Sequence, residues 1–221
     1  MFERIRNFFV PAPVHKCTGE VSPNLEVTTE NGRYVLNAGN ANYSYGGLHQ
    51  VFRMAFRESG MKDTKVKNVL ILGFGAGSVA SILLEEYYKE CDITGVEKDP
   101  VVLELARMYF DIDRFRGLSL HCIDAVDFVM QAKGEYDLIV VDVFVGLDVP
   151  SVMEEEKFLL ALGKLQAKNG RIFFNKIAYS DKTRKEANDL VARFTSCIAE
   201  PILYKISMEG VENWVFFQEK R

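Results

Sequence analysis

Apolar residues fall into two alternating patterns along this chain. From Lys67 onward, short unbroken apolar runs give way to segments in which apolar residues recur every three or four positions. The runs are "NVLILG", "DITGVE", "LSLHCID", "DLIVVDVF" and "RIFFNKI"; helices are predicted over 77–89, 100–109, "AVDFVMQA", 153–167 and 182–198. Regular alternation of this kind predicts a parallel sheet with helices on both faces. Strands that are apolar throughout fit a sheet covered on both sides. The last stretch, "PILYKISMEGVENWVFFQEK", reads strand, turn, strand, with the turn around Glu209–Asn213. That connection is too short for a parallel crossover, so the pair is expected to be antiparallel.

Upstream, residues 24–37 hold two β-prone runs around Asn31-Gly32, a dipeptide suited to a tight hairpin. "GNANYSYGG" reads as a loop, and a helix follows from Leu48 to Ser59 with Gly60 as its stop. The first residues, "MFERIRNFFVPAPVHK", are expected to start with a helix packed on the domain. The expected division is an extension over 1–47 and a main domain over 48–221.

Composition narrows the class. With 48% apolar residues in 221, a sizeable core is available to one domain. A net charge of −4 argues against a general nucleic-acid binder. The N-terminal stretch has no apolar run long enough for a signal peptide or a membrane span, so a cytoplasmic protein without a membrane partner is expected. Cys17, Cys91, Cys122 and Cys197 lack CxxC or metal-ligand spacing, and His15, His49 and His121 form no ligand pair. Reduced thiols and no metal follow.

The chemistry concentrates in "VLILGFGAGSVA", residues 69–80, where a strand runs into Gly73, Gly75 and Gly77 and then into a helix. No Lys follows the last glycine, which excludes a nucleotide-triphosphate loop. A dinucleotide loop fits only in the shifted frame Gly75-x-Gly77-x-x-Ala80. The GxGxG spacing suits an S-adenosylmethionine site better, since glycines remove the Cβ atoms that block close approach. Glu97 ends the second strand and can accept two ribose hydroxyls; otherwise it is a solvated strand end. Asp124 ends the third strand and can meet an adenine amino group beside the Ala125 N–H, or cap the next helix. Asp99-Pro100 reads as N-cap and first helical residue. Asp142 ends the fourth strand. All lie where open α/β sheets bind ligands. The cluster Glu154–Glu156 reads as a solvated acidic first turn, and Trp214 as core or dimer packing.

A parallel sheet closed by an antiparallel hairpin is the layout of the class I methyltransferase-like fold. "VKNVLILGFGAGSVASILLEEY", "ITGVEKDPVVLELARMYF", "LHCIDAVDFV" and "YDLIVVDVF" resemble the spermidine synthase (polyamine aminopropyltransferase) family. The resemblance covers about 25–180 and implies a Rossmann-like, mostly parallel seven-stranded sheet with an antiparallel C-terminal hairpin and a small N-terminal β-hairpin, an adenosyl-sulfonium ligand and a homodimer. It implies donor contacts from Gly73, Gly75, Ala76, Gly77, Glu97, Lys98, Asp124 and Ala125. Three positions depart from it. Ala76 stands where the family has a loop acid, Val145 where it has a second acid after Asp142, and Leu48-His49-Gln50 where it has Tyr-x-Glu.

A polyamine acceptor needs several carboxylates, and this chain has fewer. An acid at 76 would attract the ammonium of decarboxylated S-adenosylmethionine and repel the carboxylate of the intact donor, by roughly 4 kcal/mol at ~4 Å and an effective dielectric of ~20. The expectation is therefore a methyltransferase using intact S-adenosylmethionine on a small-molecule acceptor. Asp142 is the base or orienting group, and Tyr45, His49 and Gln50 are candidate acceptor contacts. An active aminopropyltransferase using the decarboxylated donor and a catalytically silent adenosyl-ligand-binding or interaction protein are the alternatives.

Overall fold

The computed structural model describes residues 12–39, 41–88, 90–208 and 210–221; of the N-terminal stretch expected to start with a helix, residues 1–11 lie outside them and 12–16 are strand. Asn31 and Gly32 both take positive φ, 50° and 75°, the backbone of a tight hairpin turn. The hairpin forms, but it is the centre of a larger sheet. β1 (Ala12–Cys17), β2 (Leu25–Glu30), β3 (Arg33–Ala38) and β4 (Ala41–Ser44) pair antiparallel in that order. β4 lies within the stretch expected to be loop, because Leu36, Asn37 and Ala38 offer it a paired edge.

α1 (Gly47–Glu58) follows, with Gly60 at φ 68° ending it as expected. The large sheet is built from β5 (Asn68–Leu72), β6 (Asp92–Glu97), β7 (Leu118–Cys122), β8 (Tyr136–Val141), β9 (Gln166–Ile177), β10 (Ile202–Met208) and β11 (Val211–Glu219). Its order is β10-β11-β9-β8-β5-β6-β7, and only β11 runs against its neighbours. This is the expected α/β architecture.

β5 shows why its run is wholly apolar. Val69 and Ile71 pack on one face with Phe52, Phe56 and Val102; Leu70 and Leu72 pack on the other with Phe158, Leu190 and Phe194. Each such buried side chain contributes about 1.5–3 kcal/mol. The helices on the two faces are α1 with α2 (Ser78–Ile82) and α3 (Pro100–Phe110), and α4 (Ala125–Gln131) with α5 (Glu156–Lys164) and α6 (Asp181–Cys197).

Three boundaries differ from expectation. The helix over 77–89 is α only through Ile82; Leu83–Tyr87 is a π turn, with Tyr88 N–H donating to Leu83 O at 2.6 Å. The helix over 153–167 splits into a 3-10 turn (Ser151–Glu154) and α5, and β9 begins at Gln166. Gln166 is drawn into the sheet by pairing with Tyr136 and by its side-chain bonds to Gly170 O (2.8 Å) and Gln218 (2.6 Å). The final turn is tighter than expected: Gly210 sits at φ 80°, and Asn213 is already inside the ladder opposite Ile206. Among the described residues no helix is long and apolar enough to cross a membrane.

Candidate functional site

The carboxyl ends of β5, β6 and β8 meet at Gly73. Its N–H donates to Val96 O at 2.9 Å, and its φ is 80°. A Cβ there would lie 2.1 Å from the Asp142 carbonyl oxygen. The glycine is therefore demanded by the neighbouring strand's exit as well as by any ligand. Gly75, at φ 57°, donates its N–H to Glu97 Oε2 at 2.9 Å. Gly77, at φ 87°, opens α2; a Cβ there would meet Ile112 and Phe74 at 3.1 and 3.2 Å.

These loops wall a cavity of about 300 Å³. Gly73, Gly75, Glu97, Lys98, Asp124, Ala125 and Asp142 line it, joined by Val21, Ile123, the run Val143–Gly146, Pro150, Val152, Met153 and Ile177. Ala76 and Gly77 do not; Ala76 is fully buried in the core beneath the loop.

Glu97 is only 5% exposed. Its Oε1 accepts from Lys98 N–H (2.9 Å) and Asp99 N–H (3.0 Å), and its Oε2 from Gly75. Burial raises its pKa against the pull of these three N–H groups. A carboxylate offers about four lone-pair positions, so one remains, on Oε2. Asp124 caps α4, accepting from Val126 N–H at 2.8 Å, while its Oδ2 pairs with Lys98 Nζ at 3.0 Å. Burial works against its ionisation, but Lys98 and the cap outweigh it and hold the pKa below the usual carboxylate value.

Asp142 follows β8 directly and donates its N–H to Leu72 O at 2.9 Å. Its Oδ1 accepts from Asn175 Nδ2 at 3.1 Å. Asn175 is fully buried and also donates to Asn213 Oδ1 at 3.2 Å. Asp142 is half-buried and lines the cavity. Burial pushes its pKa up to about 7, with the Asn175 amide opposing. A carboxyl titrating there is poised for proton transfer at neutral pH.

Residues 51–205 match the family model described as the spermine/spermidine synthase domain. The chain belongs to the spermine/spermidine synthase domain family. The polyamine aminopropyltransferase of Vibrio vulnificus (strain CMCP6) is 32% identical over 151 residues, covering 67% of this chain and 49% of the relative. An eEF1A lysine and N-terminal methyltransferase of Mus musculus is 26% identical over 159 residues, covering 67% of this chain and 22% of the relative. The chain thus spans about half the first relative and less of the second. Human methyltransferase-like protein 13, solved in complex with SAH, shares the fold with a TM-score of 0.62 at 21% identity, covering 80% of this chain and 83% of that one.

In this spermine/spermidine synthase domain, Tyr45, His49 and Gln50, the expected acceptor contacts, are not among the residues that line this cavity. Tyr45, at φ 69°, stacks between His49 (5.5 Å) and Phe110 (5.1 Å), and its hydroxyl donates to Gly77 O at 3.3 Å. His49 Nδ1 lies 2.9 Å from Ser78 Oγ, and burial lowers its pKa. Gln50 opens into a separate surface groove with Arg53, Arg57 and Glu86. The cause is the apolar face of α1: Val51, Phe52, Ala55 and Phe56 seat it in the core below the loop. Tyr45 and His49 support the glycine loop from beneath.

Two features were missed. Asp99 is the expected cap, accepting from Val101 N–H at 3.0 Å, but it also accepts from the N–H groups of Glu20, Val21 and Ser22 at 3.0–3.2 Å. A Cβ on Gly19 would lie 2.2 Å from its Oδ2. The segment after β1 is thereby tied across the site, with Val21 in the cavity wall. No sequence signal pairs residues almost 80 positions apart. Against the cost of burial, these N–H groups lower the Asp99 pKa. The stability it contributes is present above the ordinary value of 3.8 and is lost as pH falls through its lower folded value. Asp99→Ala is expected to cost about 1–2 kcal/mol through loss of the cap and charge-assisted bonds, read by urea denaturation at pH 7. An unchanged midpoint would refute the tie.

Glu154 is the second. It is 7% exposed rather than solvated, paired with Lys176 Nζ and 3.3 Å from Arg193. The 3-10 turn before α5 folds it inward between β9 and α6. Trp214 is buried in the core, with Lys205 Nζ 3.7 Å from its ring centre.

Proposed function

We propose that this family member binds an adenosyl-sulfonium donor and transfers its methyl group to an acceptor held at Asp142. The observation that carries this reading is the sharing of charge in the cavity. Its described acids are Glu97, Asp124 and Asp142. The first two are engaged by backbone N–H groups and Lys98, which leaves Asp142 to act on an acceptor. An aminopropyl transfer to a polyamine would need further carboxylates to hold the cation and to take its proton.

The residues fit the donor. The cavity is at the small end of the usual ligand range. Gly73 and Gly75 bring bare backbone to it, and Glu97 keeps one acceptor position for a ribose hydroxyl. The bound donor supplies a methyl carbon on a positively charged sulfur, reactive without activation by the protein. Asp142 orients the acceptor and accepts its proton, and the rigid strand ends hold the two in line. The SAH bound to human methyltransferase-like protein 13 supports the ligand class, and the Mus musculus relative's name supports methyl transfer. The Vibrio vulnificus relative's name supports the aminopropyl alternative.

Thermal shift with S-adenosylmethionine, its decarboxylated form, methylthioadenosine and NAD ranks the donors. Saturation at 100 times Kd stabilises by about 2.7 kcal/mol, or roughly 5–11 °C for a chain of this size. S-adenosylmethionine is expected to give the largest shift. A larger shift with the decarboxylated donor, together with turnover of putrescine, would overturn the methyl reading. A response to NAD alone would overturn the donor class.

A further inference from the structure

The order of strands divides the cavity into two ends. β6 and β7 lie on one side of β5, and β8 and β9 on the other. Glu97, Lys98 and Asp124 therefore stand at one end, with Asp142, Val143, Phe144, Val145 and Ile177 towards the other. At the second end Asp142 is the one charged lining residue among the described residues, and its neighbours there are apolar. The arrangement is built. Val145 N–H donates to Asp148 O at 2.9 Å, Asp148 N–H returns a bond to Val145 O at 3.3 Å, and Gly146 turns between them at φ 64°. This turn presents Val145, 53% exposed, at the cavity mouth. The next acid, Asp148, is exposed outside the lining and accepts from the Tyr179 hydroxyl at 3.3 Å.

We infer that the acceptor is an uncharged, apolar-bodied molecule with a single reactive O–H or S–H group, entering across Val143–Val145 with that group on Asp142. The inference rests on the donor reading above and adds the acceptor's class to it. A diammonium chain in this position would set one ammonium against Val145 and Ile177 with no counter-charge, which is unfavourable. A phenol or thiol buries its apolar body there and donates its one proton to the carboxylate.

The step balances. The acceptor oxygen or sulfur forms a bond to the methyl carbon, and the methyl–sulfonium bond breaks with its electron pair remaining on sulfur. The acceptor proton passes to the Asp142 oxygen not held by Asn175 and leaves to solvent afterwards. The positive sulfonium and the negative carboxylate are neutralised together. A carboxyl pushed up to about 7 is a better match to phenol and thiol protons than an ordinary one.

The test is isothermal titration of the full chain saturated with S-adenosylhomocysteine, using 4-ethylphenol and 1,4-diaminobutane as probes. The phenol is expected to bind at least about tenfold more tightly. Val145→Asp, at a position exposed enough to accept the change, is expected to weaken the phenol and strengthen the diamine, reversing the order. Tighter diamine binding to the unaltered chain would overturn the inference. So would an unchanged ratio in Val145→Asp, or no binding of either probe while S-adenosylhomocysteine binds. Failure of S-adenosylhomocysteine itself to bind would overturn the donor reading and this inference with it.

Discussion

Gly73→Ala is expected to cost about 3 kcal/mol of stability, the sum of left-handed backbone strain and a forced shift of packed neighbours. For a chain of this size that lowers the melting temperature by roughly 6–12 °C. The methyl would sit 2.1 Å from the Asp142 carbonyl oxygen and 2.7 Å from its carbon, both backbone atoms that cannot swing aside. Either β5 or the exit of β8 must move, and both wall the cavity, so donor binding should be lost as well. Gly60→Ala separates the two causes. Gly60 has φ 68° but nothing within 4 Å of its Cβ position, so that variant reports strain alone, about 1 kcal/mol. Equal losses in the two variants would show that the close approach of Gly73 to Asp142 contributes nothing.

Asp142→Asn is expected to lower turnover by about 10²- to 10⁴-fold, the usual worth of a positioned proton acceptor. The amide oxygen of the variant can still accept from Asn175 Nδ2, so the local geometry and S-adenosylhomocysteine affinity should persist. Retained turnover would remove Asp142 from the chemistry. The pH dependence carries a second signature. In the native chain the rate should rise as pH passes about 7, where the carboxylate forms, and the variant should lack that rise. Stability runs the other way. The folded pKa is raised above the ordinary 3.8, so the unfolded chain releases the Asp142 proton first. Its contribution is fully present below 3.8, declines between 3.8 and about 7, and is gone above. Denaturation midpoints of native chain and variant should therefore diverge across that window, with the variant relatively more stable at pH 8 than at pH 4.

The large sheet was readable because its chemistry is local. A strand covered on both faces must be apolar at successive positions, so the run over β5 declares itself without knowledge of its partners. Asn31-Gly32 is similarly self-sufficient, since both residues tolerate positive φ. The features that were not readable depend on distant residues. β4 becomes a strand because β3 has a free edge, and Gln166 joins β9 because Tyr136 and Gln218 lie beside it. Glu154 is buried because Lys176 and Arg193 come from β9 and α6 to meet it. A polar residue's own sequence neighbours carry no record of such partners.

The glycine loop shows the division within one motif. Its three glycines were visible as a tight strand-to-helix turn, yet their reasons differ: Gly73 yields to the Asp142 carbonyl, Gly75 donates to Glu97, and Gly77 makes room for Ile112 and Phe74. Composition and periodicity settled the order of elements and placed Glu97, Asp124 and Asp142 at strand ends, because each follows from a short stretch of chain. Tertiary packing decided how each of those acids is engaged. Lys98 and the backbone N–H groups occupy two of them, while burial beside Asn175 leaves the third titrating near neutrality. Charge pairing and desolvation are properties of what surrounds a group in space, and that surrounding exists once the strands have come together.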